Sequence, residues 1–407
     1  MRAEREAWVF LGSCACAEPP NPLSAGRSIV SAFAPTRRAL LTGAAVATAG
    51  LALRPALTVA APAPSRPAPG TELIRLFSNE NRYGPCEGAQ RAMLEALRLS
   101  SRYASLDAVH ALRRLIAEQE GVSPEHVLLT AGSLEALTSI AAEYGAGGGG
   151  VVCAEITFPA LPNYAARLGA KVQRVPMDGH MAHDLEAMEA RVGSGTKLVS
   201  VCNPNNPTGT VVDPARLRAF CEAVSSRATV LVDEVYLHYL EPAPGQSMVD
   251  LVRAGRNVII VRSFSKIYGM AGMRVGYAIA QPDVVKRLSE LKMALPNPIS
   301  LAAAQASLQD TQFVGRMRKL NTEARKLTSK ALDDVGMKHI AGHGNFLWIP
   351  LKPDQLDLPS RFIPHGFALT TIPKDPIPAD VAALRLTIGT VEEMRAFATA
   401  LRSVLKA

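Results

Sequence analysis

An α/β fold is predicted for this 407-residue chain, with a mostly parallel seven-stranded sheet in a large domain and a smaller α/β domain following it. Two observations predict it. From about residue 106 to 297, short β-branched runs alternate with helical stretches, and strands separated by helices are joined by crossovers that lay them parallel. Three of those runs also end in a dense polar cluster: KLVSV before residues 203–209, ATVLV before residues 233–236, and NVIIV before residues 263–266. In an open parallel sheet, the C-terminal edge of the strands is where ligands bind.

In chain order, LDAVHALRRLIAEQEG reads as an amphipathic helix opening near Ser105. The strands follow as HVLLT, VVCAE, KVQRV, KLVSV, TVLVD, NVIIV and VGYAIA. PNPISLAAAQASL opens a long helical stretch leading out of that domain. NFLWIP, FALTTI, ALRLTI and a final helix, EEMRAFATALRSVL, suit a small α/β domain closing over the strand tips. The expected organisation is a leader over 1–70, an N-terminal arm over 71–105, the large domain over 106–297 and the small domain over 298–407. No internal repeat is present. With 48% hydrophobic residues the chain can bury a substantial core.

Residues 1–70 have a different character. Arg37 and Arg38 precede a modest Ala/Gly/Leu run, then a small-residue pattern Thr58-Val59-Ala60 and a Pro-rich stretch. This reads as a twin-arginine export signal, which implies a periplasmic or extracytoplasmic destination for a protein moved already folded; a disordered basic tail and an uncleaved signal anchor are the alternatives. The leader carries seven arginines and three glutamates, so half of the net charge of +8 lies there. The remainder has no dense basic block, which argues against nucleic-acid binding, and no stretch suited to a stable membrane span. The six cysteines (Cys14, Cys16, Cys86, Cys153, Cys202 and Cys221) follow neither a metal-site nor a disulfide spacing, so no metal is expected and the thiols read as free.

The chemistry concentrates in VRSFSKIYGMAGMRVGY, residues 261–277. A fixed charge is costly at the end of a buried strand, and Lys266 stands at such a place. That cost becomes useful if the amine must be neutral to attack an aldehyde. Ser263, Ser265 and Arg274 flank it with hydroxyl donors and a cation suited to phosphate oxygens. The cofactor that carries both an aldehyde and a phosphate is pyridoxal 5'-phosphate. GSLEAL, residues 132–137, adds a helix start with Ser133 near the cap, where free N–H groups bind phosphate.

The order GSLEAL, NPNNPTG, DEVY, SFSKIYGMAGMRVGY and LRLTIGT resembles the fold-type I, class I/II aminotransferases that use pyridoxal phosphate, and SNENRYGP places the resemblance in the branch similar to histidinol-phosphate aminotransferases, over roughly residues 71–407. The resemblance implies transamination between an L-amino acid and a 2-oxo acid. Lys266 would bond the cofactor aldehyde as a Schiff base and then shuttle the proton. Asp233 would face the pyridine nitrogen, keeping it protonated, and Tyr236 and Asn206 would hydrogen-bond the ring's phenolic oxygen. The backbone of Ser133 and Leu134, with Ser263, Ser265 and Arg274, would cradle the phosphate, and Phe158 would stack on the ring. Tyr103 matches a tyrosine that reaches a neighbouring subunit's phosphate in a homodimer, although Ala104 stands where the family usually has proline. Arg385 would clamp the substrate α-carboxylate, with Asn345 and Tyr83 nearby. Arg82 replaces a usual proline and could reach inward. Thr370 takes the place of an arginine that in histidinol-phosphate aminotransferases meets the substrate's phosphate. A threonine offers no charged fork, so an unphosphorylated donor is expected. A decarboxylase on the same fold and a non-catalytic binding protein remain alternatives.

Overall fold

A computed structural model describes residues 72–372 and 382–405. The expected export signal, with Arg37, Arg38, Cys14 and Cys16, lies outside the described residues. After a two-residue strand β1 (Ile74–Arg75), the chain forms β2 (Val127–Thr130), β3 (Gly150–Ala154), β4 (Lys171–Val175), β5 (Thr196–Cys202), β6 (Thr229–Asp233), β7 (Val258–Ser263) and β8 (Gly276–Ile279). These last seven pair into one sheet in the order β2-β8-β7-β6-β5-β3-β4. Only β8 runs antiparallel, against both β7 and β2. This is the mostly parallel seven-stranded sheet expected from the seven apolar runs. Every residue of β6 and β7 is buried, as central parallel strands covered on both faces require. Edge strand β4 alternates exposed Lys171, Gln173 with more covered neighbours, the pattern of a strand with one open face.

Three further strands follow: β9 (Phe346–Pro350), β10 (Phe367–Ala368) and β11 (Ala383–Thr387). β9 and β11 pair antiparallel, with Arg385 opposite Trp348, and β10 pairs in parallel with β1. Among the described residues two large apolar cores result, with a smaller cluster at Trp348. The first surrounds the large sheet; the second gathers Leu347, Phe362, Phe367, Leu386, Met394 and Phe397. Leu76, just after β1, is fully buried in the second core, so the N-terminal arm is stitched to the C-terminal strands. The 22-residue helix Phe313–Asp334 spans both, giving Phe313 and Met317 to the first and Ala324 and Leu332 to the second.

Helix α1 (Glu87–Ala96) packs on the helix Pro298–Gln309. Helix α2 (Leu106–Glu120) starts where Ser105 Oγ accepts from Ala108 N at 3.2 Å, as the sequence predicts. Its Leu112 and Ile116 are fully buried, each contributing roughly 1.5–3 kcal/mol of burial. Cys86, Cys153, Cys202 and Cys221 are buried free thiols. Among the described residues no helix is long and apolar enough to cross a membrane.

Candidate active site

β5, β6 and β7 are direct neighbours, with Cys202 level with Asp233 and Asp233 level with Val261. Their C-terminal tips therefore deliver three polar clusters to one place. There Asn206, Asp233, Tyr236, Lys266 and Arg385 line a single cavity of about 270 Å³.

Lys266 Nζ donates to the carbonyl of Ser78 at 3.1 Å. Burial first, then Arg385 and Arg274, hold its amine down at about 8, against the upward pull of Glu80 and Asp233. A far larger share of the amine is thus neutral and nucleophilic near neutral pH than for an ordinary lysine. Asp233 Oδ1 accepts from Val235 N at 3.1 Å. Burial raises its carboxyl to about 7, with a smaller push from Glu234, while the Val235 N–H and Lys266 act the other way. A cation placed against Asp233 would restore the anion. Tyr236 Oη accepts from Asn79 Nδ2 at 2.9 Å, which leaves its own proton free to donate into the cavity; burial pushes that phenol's pKa upward. Arg385 donates to Asn206 Oδ1 at 2.7 Å and to the carbonyl of Phe77 at 2.7 Å. Because a guanidinium only donates, this contact turns the Asn206 NH₂ toward other acceptors. Arg385 Nε is buried without a partner, a donor in want of an acceptor.

One end of this site is built for an anion. Helix α3 (Ser133–Gly145) follows Gly132, whose φ of 83° is a conformation side-chain residues rarely adopt. The first N–H groups of a helix, here those of Ser133 and Leu134, have no intrahelical partner. The helix begins just after Gly132, as the sequence predicts, with Ser133 as its first residue, and no side chain caps this end. A β-carbon on Gly276 would lie 2.5 Å from Ser133 N, so the strand glycine lets the helix start settle onto the sheet. The Arg274 guanidinium covers the same spot: a β-carbon on Gly132 would stand 2.3 Å from its Nη2. Arg274 Nη1 donates to Ser265 Oγ at 3.2 Å, and Ser263 Oγ accepts from Ser265 N at 3.1 Å. Ser133 lines the cavity, and so does Phe158.

Other expected positions fall elsewhere. Asn345 is buried and donates to the carbonyls of Asn79 and Glu80 at 3.0 and 3.3 Å; its Oδ1 is unpartnered. Tyr83 Oη accepts from Val391 N at 3.0 Å. Both line a smaller hollow of their own. Arg82 does not turn inward: it forks onto Glu393 at 3.0–3.1 Å, because that carboxylate stands at the start of the last helix. Tyr103 is fully exposed beside Met293 and Leu295. Thr370 is exposed and donates to the carbonyl of Thr371 at 3.2 Å. Sequence reasoning missed Ser78, Asn79 and Cys202, which also line the cavity. Asn79 is buried, adopts a φ of 54°, and holds Tyr236 and Thr387 together. The signal was present in SNENRYGP, since Asn is among the side-chain residues that best tolerate that conformation.

Residues 71–401 match the family "Aminotransferase class I and II". A histidinol-phosphate aminotransferase of Moorella thermoacetica is 35% identical over 336 residues, covering 82% of this chain and 86% of that protein. An aromatic amino acid aminotransferase of Mycobacteroides abscessus is 37% identical over 302 residues, covering 74% and 85%. The crystal structure of the histidinol-phosphate aminotransferase of Sinorhizobium meliloti, in complex with pyridoxal-5'-phosphate, superposes with a TM-score of 0.76 at 25% identity, over 82% of this chain and 91% of that one. The chain belongs to the class I and II aminotransferases. It is a pyridoxal-phosphate-dependent aminotransferase with the fold-type I architecture. The residues present fit that cofactor. An amine of lowered pKa, a buried carboxyl waiting for a cation, and a helix start beneath a guanidinium meet around one cavity.

Proposed function

We propose that Lys266 is the residue that bonds the cofactor, and that the substrate is an unphosphorylated amino acid with an apolar or aromatic side chain. The observation that carries the site assignment is the convergence of Asn206, Asp233, Tyr236, Lys266 and Arg385 on one cavity. When bound, pyridoxal phosphate supplies an aldehyde and an electron-accepting ring. Asp233 would hold a positive charge at the ring nitrogen, and the Tyr236 hydroxyl and Asn206 amide would donate to the phenolic oxygen. Arg274, Ser263, Ser265 and the Ser133 and Leu134 amides would hold the phosphate, and Phe158, which lines the cavity, would contribute an aromatic face. Arg385, already placed by Asn206 and Phe77, receives the substrate carboxylate and fixes the Cα–H. Lys266 Nζ takes the proton from Cα and returns it on the other side of the transfer.

The substrate assignment rests on what surrounds Arg385. Thr370 brings no charge. Trp348, opposite Arg385 on β9, is buried with Ile156 and Ala383, and Met177, Met181, Ile340 and Ile372 pack against them. None of these neighbours carries a charge that could meet a phosphate, which supports a donor with an apolar side chain. Among relatives, the aromatic amino acid aminotransferase named above agrees. A donor screen tests this. Phenylalanine or tyrosine is expected to be turned over with a kcat/KM well above that of histidinol phosphate; efficient use of histidinol phosphate would refute it. The fully exposed Tyr103, flanked by exposed Leu106 and Met293, supports a homodimer in which Tyr103 meets the second copy, a state that light scattering would read directly. Arg37 and Arg38 in the leader support twin-arginine export, checked by the compartment and mass of the mature chain.

A further inference from the structure

Beneath the site lies a charged cluster that the assignments above do not use. Arg262, the penultimate residue of β7, is buried, and it donates from Nε and Nη2 to Glu234 Oε2 at 3.0 and 2.8 Å. Its Nη1 meets Glu120 Oε1 at 2.5 Å, and Nη2 also reaches Ser247 Oγ at 2.8 Å. Glu234 is almost wholly buried and accepts further bonds from Met248 N at 2.8 Å and from Ser247 Oγ at 2.9 Å. Tyr277 Oη donates to Glu120 at 3.2 Å. Glu234 directly follows Asp233, yet neither it nor Arg262 lines the cavity. A buried carboxylate one residue from another makes the second harder to ionise.

We propose that Arg262 is a positioning residue for Asp233: it clamps and neutralises Glu234, so that Asp233 can carry its negative charge toward the cavity. The inference rests on the reading that Asp233 faces the cofactor's ring nitrogen. Two adjacent carboxylates here have opposite tasks. Glu234 points to the guanidinium and fixes the chain where β6 ends; Asp233 is left with one backbone donor, the Val235 N–H, and an open side. Burial raises the Asp233 carboxyl, the Val235 N–H lowers it, and of the neighbouring charges Glu234 raises it while Lys266 lowers it. Cys202 from β5 and the Tyr236 phenol are the other titratable groups facing Asp233, and both stay protonated there because burial raises them. Cys221 faces Glu234 and is likewise held neutral, pushed up to about 12. The charge balance next to Asp233 is therefore set by Lys266 on the cavity side and by Glu234, held by Arg262, behind it.

The test is the pH dependence of cofactor binding. The full chain, freed of cofactor, is titrated with pyridoxal phosphate between about pH 5 and 9, following protein fluorescence and visible absorbance. Affinity falls on the acid side as Asp233 takes up a proton. Glu234→Gln keeps the shape and removes the charge, so the acid limb is expected to move down by on the order of one pH unit. Arg262→Met leaves Glu234 unneutralised, so the limb moves up by a similar amount. A scaffold role alone would weaken folding in both variants without moving the limb in opposite directions. Limbs that stay put, or that move the same way, overturn the proposal. If Arg262→Met does not fold, Glu234→Gln decides alone: a downward shift supports the proposal and an unmoved limb overturns it. A wild-type chain that fails to bind pyridoxal phosphate overturns the site assignment and this inference with it.

Discussion

Replacing Gly132 with alanine separates the phosphate end of the site from the rest of the fold. The glycine has φ 83° and ψ 162°, a region an L side chain enters at a cost of about 1–3 kcal/mol. The new methyl would also stand 2.3 Å from Arg274 Nη2 and 2.8 Å from its Cζ. Those atoms end a flexible side chain, so the arginine swings away and the fold survives. The swing removes the guanidinium from Ser265 and from the start of α3, where the phosphate is to sit. Losing a charged hydrogen bond costs about 1.5–3 kcal/mol, roughly a 10- to 100-fold rise in cofactor Kd. The assay is titration of the cofactor-free protein with pyridoxal phosphate, alongside urea unfolding. Arg274→Met serves as the comparison, with a similar loss of affinity and no backbone penalty at residue 132. If Gly132→Ala lowered the unfolding midpoint yet bound the cofactor as tightly as wild type, Arg274 and the helix start would not form the phosphate cradle.

Two further outcomes are expected. Arg385→Met removes the cavity's fork for a carboxylate, so the KM for amino donors should rise about 10- to 100-fold while cofactor affinity changes little; an unaltered KM would place the carboxylate elsewhere. Asp233→Asn should change how stability varies with pH. The folded carboxyl titrates at about 7, above its ordinary 3.8, so what it contributes to stability is present below about pH 4 and is lost as pH rises through 7. Asparagine has no such loss, and the cofactor-free variant should gain on wild type by up to a few kcal/mol between about pH 4 and 8; a gap in unfolding midpoint that does not vary with pH would contradict this.

The sheet was legible because its strands are short, apolar and separated by helices, and because the central parallel strands carry few polar residues before their tips. Asn206, Asp233 and Lys266 were legible for the same reason, since each sits just beyond such a run. The contacts that aim them were not. Asn79 meets Tyr236 across 157 residues, Arg385 meets Asn206 across 179, and Arg262 meets Glu120 across 142. No local pattern records those pairings; they exist because β1 and Leu76 tie the arm to the C-terminal strands and because α2, packed on β2, ends near β7. Arg82 shows the reverse failure. Its place in SNENRYGP allowed an inward pose, but Glu393, 311 residues away, holds it at the surface of the last helix.

The most direct test of the account is absorbance of the purified protein with pyridoxal phosphate, compared between wild type and Lys266→Ala. Wild type is expected to hold the cofactor covalently, with a visible band distinct from free pyridoxal phosphate and full turnover. Lys266→Ala should fold with the same far-ultraviolet circular dichroism, lose that band and lose turnover. Retention of both by Lys266→Ala would contradict the claim that three adjacent strand tips bring one amine to the cofactor.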